Sequence, residues 1–436
     1  MGIRLLINRT VRQIINMRAH LILTTIFAFY FIHAAGADWS QFRGPGGSGI
    51  SEVKGTPLRW SDTRGIVWKT DLPGPGASSP VVIGNRIFLT CYTGFGPGIT
   101  GGNMQSLKRH LLCLDRTNGK LLWNTPVAAD LPEQEGIRED HGYATSTPVS
   151  DAERVYVFFG KSGVFAFNHD GSQLWNTKVG SELNGWGSAT SPVLHSELLI
   201  INASVESSSL VALDRKTGRE VWRAKGVSES WHAPALVTAP GGKTEVVAAM
   251  SKRVLGFDAD TGAQLWNCDT GISWYMCPTP VVRDGIVYLI GGRGPTVTMA
   301  IRAGGRSDVN ASHVLWKTGK GSNVPSPILH EGHLYFAHEN LGIALCVNAT
   351  TGEVVYEERL SPSPGQIYAS PVLSDNRIHY LGRGGRSVVI EASPKLKVLA
   401  ENTLEGGRGV FNASPAFDGR RLLIRSNRAL YCLGEE

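Results

Sequence analysis

The sequence predicts an all-β fold: an eight-bladed β-propeller of four-stranded antiparallel blades, closed by an N-terminal strand that joins the last blade. Three observations predict it. First, the phrase "ALDRKTGREVW", Ala212–Trp222, recurs as near-copies at Cys113–Trp123, Ala166–Trp175, Gly256–Trp266 and Cys346–Tyr356, with Ala300–Trp316 a lengthened version. Second, a small or hydroxyl residue followed by Pro and apolar residues recurs at Pro80, Pro148, Pro192, Pro234, Pro280, Pro327, Pro371 and Pro415, in steps of 68, 44, 42, 46, 47, 44 and 44 residues. Third, no helical period separates these phrases; the intervening runs, such as "RVYVFF" and "GIVYLI", alternate like strands.

The elements follow in chain order. Residues 1–37 read as a signal peptide. Arg4, Arg9, Arg12 and Arg18 precede an apolar core from Leu21 to Ile32, and Ala35-Gly36-Ala37 offers a small-residue cleavage site. A start at Met17 would leave a more compact leader. The 12-residue apolar core is short against the ~20 residues of a membrane span, although an uncleaved anchor is the alternative. Residues 38–65, opening with "DWSQFRGPGGSGIS", form an irregular segment, and residues 66–436 form the propeller.

Within one repeat, Pro opens the innermost strand, where a missing N–H costs least. A β-branched run supplies the second strand and the "ALD" run the third. Asp-x-x-Thr-Gly turns the chain, with Gly taking positive φ. The Trp strand completes the unit. Eight Pro phrases require eight Trp strands, yet the chain ends at "LYCLGEE" before a last one, while Ile66–Thr70 carries an unclaimed Trp68. This N-terminal strand therefore completes the final blade and removes two open edges. The seventh phrase, Ile390–Ala400, has no closing aromatic and leaves only Val398 or Leu399 for that position.

Formal net charge is +6, but the four leader arginines account for most of it, leaving +2 on the body. Nucleic-acid binding by global charge is excluded. Of six cysteines, Cys113, Cys346 and Cys432 sit in apolar strand contexts as small hydrophobes. Cys268 and Cys277 flank one loop and are the candidate disulfide pair, with two free thiols as the alternative. No zinc spacing occurs, and no metal site is expected.

The repeated phrase together with Ser-Pro-Val resembles the repeat of the pyrroloquinoline-quinone-like eight-bladed propellers over about residues 60–436. The resemblance implies that the closing aromatic of each blade docks on the next blade, a role falling to Trp68, Trp123, Trp175, Trp222, Trp266, Trp316 and Tyr356. The chain resembles the cofactor-free outer-membrane assembly propeller more than the quinoprotein dehydrogenases. It lacks the dehydrogenases' vicinal Cys pair, and no Asp/Glu/Asn cluster for calcium stands out. No cofactor is expected, pyrroloquinoline quinone with calcium being the alternative.

Propeller geometry puts the inter-blade connections and the loops between second and third strands on one face. The long stretches "YTGFGPGITGGNMQSLKRH" and "VAADLPEQEGIREDHGY" both fall there. Residues just before the Pro phrases should surround the central funnel: Tyr143, Trp186, Trp231, His232, Trp274, Tyr275, Tyr368 and Phe411. They form either a binding rim or a cap on the core. Arg293, Arg383 and Arg408 fall on the same face with few acids, Glu139 and Asp140 among them; either they favour an anionic partner or they are solvated loop charges.

Other motifs carry no chemistry. "GPGGSG", Gly44–Gly49, follows no strand and opens no helix, so it is not a dinucleotide loop. "HEGH", His330–His333, sits at a hairpin tip with too few ligands for a metal. No GxSxG or evident catalytic set appears, so the catalytic residues expected are none. The expectation is an exported, non-catalytic, monomeric scaffold that binds an envelope protein or glycan through its loop-rich face. The alternative is a quinone-dependent oxidoreductase or other small-molecule enzyme at the funnel mouth.

Overall fold

Each repeat folds as one antiparallel sheet because its apolar runs are short, β-rich and punctuated by turn residues. In the computed structural model, residues 38–138 and 141–435 are described; the expected signal peptide, Glu139, Asp140 and Glu436 lie outside them. Blade 1 comprises Val81–Ile83, Arg86–Thr93, Lys108–Asp115 and Leu121–Ala128. Blade 2 runs from Val149 to Thr177, blade 3 from Val193 to Lys225, blade 4 from Ala235 to Asp269 and blade 5 from Val281 to Thr318. Blades 6 and 7 run from Ile328 to Arg359 and from Val372 to Thr403. Blade 8 takes Ala416–Asp418, Arg421–Arg425 and Ala429–Leu433 from the C-terminal end and Ile66–Asp71 as its outermost strand. Trp68 lies opposite Cys432, so the first long strand closes the ring. Among the described residues, no helix is long and apolar enough to cross a membrane.

The Asp-x-x-Thr-Gly turn has a local cause. Asp214 Oδ1 accepts from the Lys216 and Thr217 amides and from the Thr217 hydroxyl. Gly218 then takes φ +74°, and a bulge follows beside the Ala212–Trp222 pair. The glycine is needed for space as well: a Cβ there would lie 2.6 Å from the Trp175 ring of the preceding blade. Trp68 meets Gly119, Trp123 meets Gly171, Trp222 meets Gly262 and Trp316 meets Gly352 in the same way. Four of these indoles also donate across the seam, from Trp123 to His169 O, Trp175 to Arg215 O, Trp222 to Ala259 O and Trp316 to Ala349 O.

Two seams differ. After blade 4 the lengthened phrase inserts Ser307–Asp308 as a parallel fifth strand against Trp266–Asn267. This insertion buries Trp266 completely, and its indole donates to Glu245 within its own blade. After blade 7, register sets Ala400, not Val398 or Leu399, at the aromatic position: Ala400 faces Val389 as Trp222 faces Ala212. The missing ring comes from residues 38–65. Trp60 is 4% exposed and packs with Ala400, Val389 and the blade 8 core, stacking on His379 at 5.8 Å. Its backbone N–H donates to Asn402, whose amide returns a bond to Leu58 O.

The same segment crosses the axis. Trp39 bridges Val82 of blade 1, and Ile50–Ser51 pairs in parallel with Leu373–Ser374 of blade 7. Arg43 is fully buried and donates to Ser48 O and to Pro327 O of blade 6. Burial pushes its guanidinium down to about 9. Above this plug the residues before each Pro form a girdle. Ser79 N–H donates to Thr147 Oγ1, Thr147 to Ser191, Thr279 to Ser326, Ser326 to Ser370 and Ser370 to Ser414. The run is broken at Ala233, the one position of the eight without a hydroxyl, and again between Ser414 and Ser79, whose hydroxyl has no partner.

Candidate functional site

The linkers that enter blades 3 to 7 converge over the axis. Trp186 leads into blade 3, Trp231 into blade 4, Trp274, Tyr275 and Cys277 into blade 5, Asn323 and Val324 into blade 6, and Tyr368 into blade 7. Tyr275 is the hub, with its ring centroid 5.1 Å from Trp186 and 5.3 Å from both Trp231 and Trp274. The rings meet at 41° to 67°, so they make a concave wall rather than a stack. Trp186, Trp231 and Tyr275 line a cavity of about 120 Å³, with Trp274 packed behind Tyr275. Below it a second cavity of about 130 Å³, sharing Trp231, His141, Cys277, Val324 and Tyr368, continues down the axis to Phe42 of the plug.

Cations crown the wall. The Arg138 guanidinium lies 4.0 Å over Trp186, Arg293 lies 5.7 Å over Trp274, and Arg383 lies 4.5 Å over Tyr368. Arg383 is further tied to Gln366 and Asn412. On the floor, Glu339 Oε2 accepts from the Ser322 hydroxyl and the Asn323 backbone N–H. Cys277 is half-buried there, and desolvation pushes its thiol up to about 12, so it is no nucleophile at neutral pH.

The other sequence-predicted residues lie elsewhere. Tyr143 packs with Tyr92, Leu107 and Ala144 in a separate cluster under the blade 1 loops. His232 is buried and clamped: Nδ1 donates to Ala233 O and Nε2 accepts from Ala249 N–H. Burial holds its pKa below the ordinary value, so it is a neutral structural group. Phe411 is fully buried in the core between blades 7 and 8, against Tyr431. Arg408 is exposed and does not line the cavity. Cys268 and Cys277 are not joined, and all six thiols are free. Cys268 lies on the fourth strand of blade 4, its thiol on Asn310 of the inserted loop, whereas Cys277 faces the axis. Glu139 and Asp140 lie outside the described residues.

Sequence reasoning missed Arg138, Asn323 and Glu339. It also missed a buried acid, Glu206, under the long loop that carries Arg138. Glu206 is 2% exposed, and desolvation raises its carboxyl to about 7. Nearby, Arg109 and Glu133 form a buried pair at 2.7 Å.

The donor set does not fit a calcium-bound quinone. Among the described residues no three His, Cys, Asp or Glu side chains gather around a metal position. The cavity holds one carboxylate, Glu339, with Oε2 engaged by Ser322 and Asn323, and its one thiol, Cys277, has no vicinal partner.

A family model described as outer membrane protein assembly factor BamB (PQQ_2) matches residues 93–231 and 206–436. The outer membrane protein assembly factor BamB of Burkholderia pseudomallei is 24% identical over 362 residues, 78% of this chain and 84% of that protein. A tetrathionate hydrolase of Acidithiobacillus ferrooxidans is 23% identical over 352 residues, 73% of this chain; the chain spans 65% of that protein's length. Among solved structures, BamB from Moraxella catarrhalis superposes with a TM-score of 0.55 at 14% identity, covering 84% of this chain and 97% of that one. Quinohemoprotein alcohol dehydrogenase from Comamonas testosteroni gives a TM-score of 0.63 at 11% identity, covering 92% and 81%. At these identities the structural likenesses show the fold alone.

Proposed function

Because the chain belongs to the outer membrane protein assembly factor BamB family, we propose that it is an exported, non-catalytic scaffold that holds a cell-envelope partner at the aromatic mouth of its axis. The basic, apolar leader of residues 1–37 supports export. The observation that carries the binding reading is the wall of Trp186, Trp231, Tyr275 and Tyr368 crowned by guanidinia. Aromatic rings with one wet edge are common anchors of interfaces, and their loss costs binding without unfolding the scaffold beneath.

The test is capture from an envelope extract with the purified mature chain. Wild type retains a specific partner, whereas Trp186→Ala and Trp274→Ala lose it at unchanged melting temperature. Equal capture by both variants and the parent would sink the reading. The enzyme alternative draws on the tetrathionate hydrolase and dehydrogenase likenesses. Adding pyrroloquinoline quinone and calcium to the chain is expected to leave melting temperature unmoved and a redox dye unreduced. A shift with dye reduction would favour the enzyme.

A further inference from the structure

We propose that the aromatic mouth receives a pyranose ring carrying a carboxylate, as in a uronate-containing glycan. This rests on the reading of the mouth as the partner site and names what that site recognises.

The crown supplies the anion requirement. The guanidinia of Arg138 and Arg293 lie against indole faces yet make no hydrogen bond or ion pair among the described residues. Two guanidinia held by ring faces keep their N–H donors free and suit a carboxylate geometrically. The wall supplies the ring requirement. Trp186 and Trp231 flank Tyr275 at centroid distances of 5.1 and 5.3 Å and present an angled apolar surface to the C–H face of a sugar. The floor supplies a hydroxyl requirement. Asn323 Oδ1 has no partner, and Glu339 Oε1 has only a 3.5 Å contact with Asn340. Buried acceptors with spare capacity favour a ligand that brings O–H donors. A simple aromatic acid would satisfy the crown and wall but leave the floor dry.

An extended peptide fits less well. The lining side chains come from linkers that precede the innermost strands and, for Arg293, Glu339 and Asn340, from loops between second and third strands, so the mouth offers no strand edge on which a peptide backbone could pair. A ring entering end-on needs no such ladder.

The test is calorimetric titration of the mature chain with trigalacturonate, galacturonic acid, the neutral trigalactoside and benzoate, with indole fluorescence as a second readout. The expected result is binding of the trigalacturonate and, more weakly, of the monosaccharide. The neutral sugar and benzoate should bind at least about tenfold more weakly, since charge-assisted pairs account for a difference of that order. Arg293→Gln should weaken uronate binding about tenfold, and Trp186→Ala should abolish the fluorescence change. Lys216→Gln, on the opposite face, should do neither. No uronate binding to the wild type, or equal binding of the neutral sugar or benzoate, overturns the proposal. If partner capture still depends on Trp186 while uronates fail, the scaffold reading stands and only the ligand assignment falls. Loss of both sinks both.

Discussion

Replacing Trp60 by Ala should destabilise the whole ring although Trp60 lies outside every repeat. The indole is 4% exposed and packs among Ala400, Phe417 and Leu404, between blades 7 and 8. Truncating a buried aromatic of this size costs about 3–5 kcal/mol. For a propeller of ~400 ordered residues unfolding cooperatively, the unfolding entropy makes that a drop of about 5 °C in Tm. Calorimetry of the purified mature chain reads it directly. Ala400→Trp alone should also destabilise, because the new indole competes for space already filled. In the double variant the Trp at position 400 occupies the vacated seam, so Tm should recover part of the loss. A Tm change below about 1 °C for Trp60→Ala, or a double variant no better than it, would refute the claim that this residue completes the seventh seam.

Other expectations are separate. Glu206 ordinarily titrates at 4.5 and rises to about 7 in the folded chain through burial. Between those values the folded chain holds a proton the unfolded chain has lost. Its contribution to stability is therefore full below about 4.5, falls as pH rises, and is gone above about 7, a change of about 3 kcal/mol. Glu206→Gln should flatten this part of the pH–stability curve and be the more stable form at pH 8; an unchanged curve would refute it. Thiol titration of the denatured, unreduced chain should count six free cysteines, and a count of four would restore a bridge. Gly218→Ala should lower Tm by several degrees, because its Cβ would strike the Trp175 ring at a residue with φ +74°. A neutral result would mean that the seam yields easily.

The sequence carried the architecture because that is periodic: phrase spacing, turn residues and the unclaimed Trp68 strand each determine blade count or closure. It carried less where a contact is made outside the repeat frame. Trp60 lies in an irregular stretch, and nothing local says that it fits opposite Ala400. The inserted loop after Arg302 reads as a longer turn, yet it adds a strand and covers Trp266. The hydroxyls before seven of the Pro residues read as strand punctuation; only their position around the axis reveals what they bond.

The site divides similarly. Trp186, Trp231, Tyr275 and Tyr368 all lie in the linkers shortly before a Pro phrase and come together. Phe411 lies in such a linker too but turns into the core, where Gly385 and Gly409 leave room for its ring. Arg138 comes from a loop whose path no periodicity dictates. The burial of Glu206 depends on loops from other blades, and a single strand's pattern does not encode that.

Site-specific photo-crosslinking tests the central claim, that the partner sits over the axis on the linker face. A photoreactive phenylalanine derivative, which keeps an aromatic ring beside the wall, is placed at the exposed Trp274, and in a second variant at Lys216, on a hairpin turn of the opposite face. Irradiation in intact cells should attach a partner at 274 and nothing at 216. Adducts at 216 with none at 274 would contradict the account.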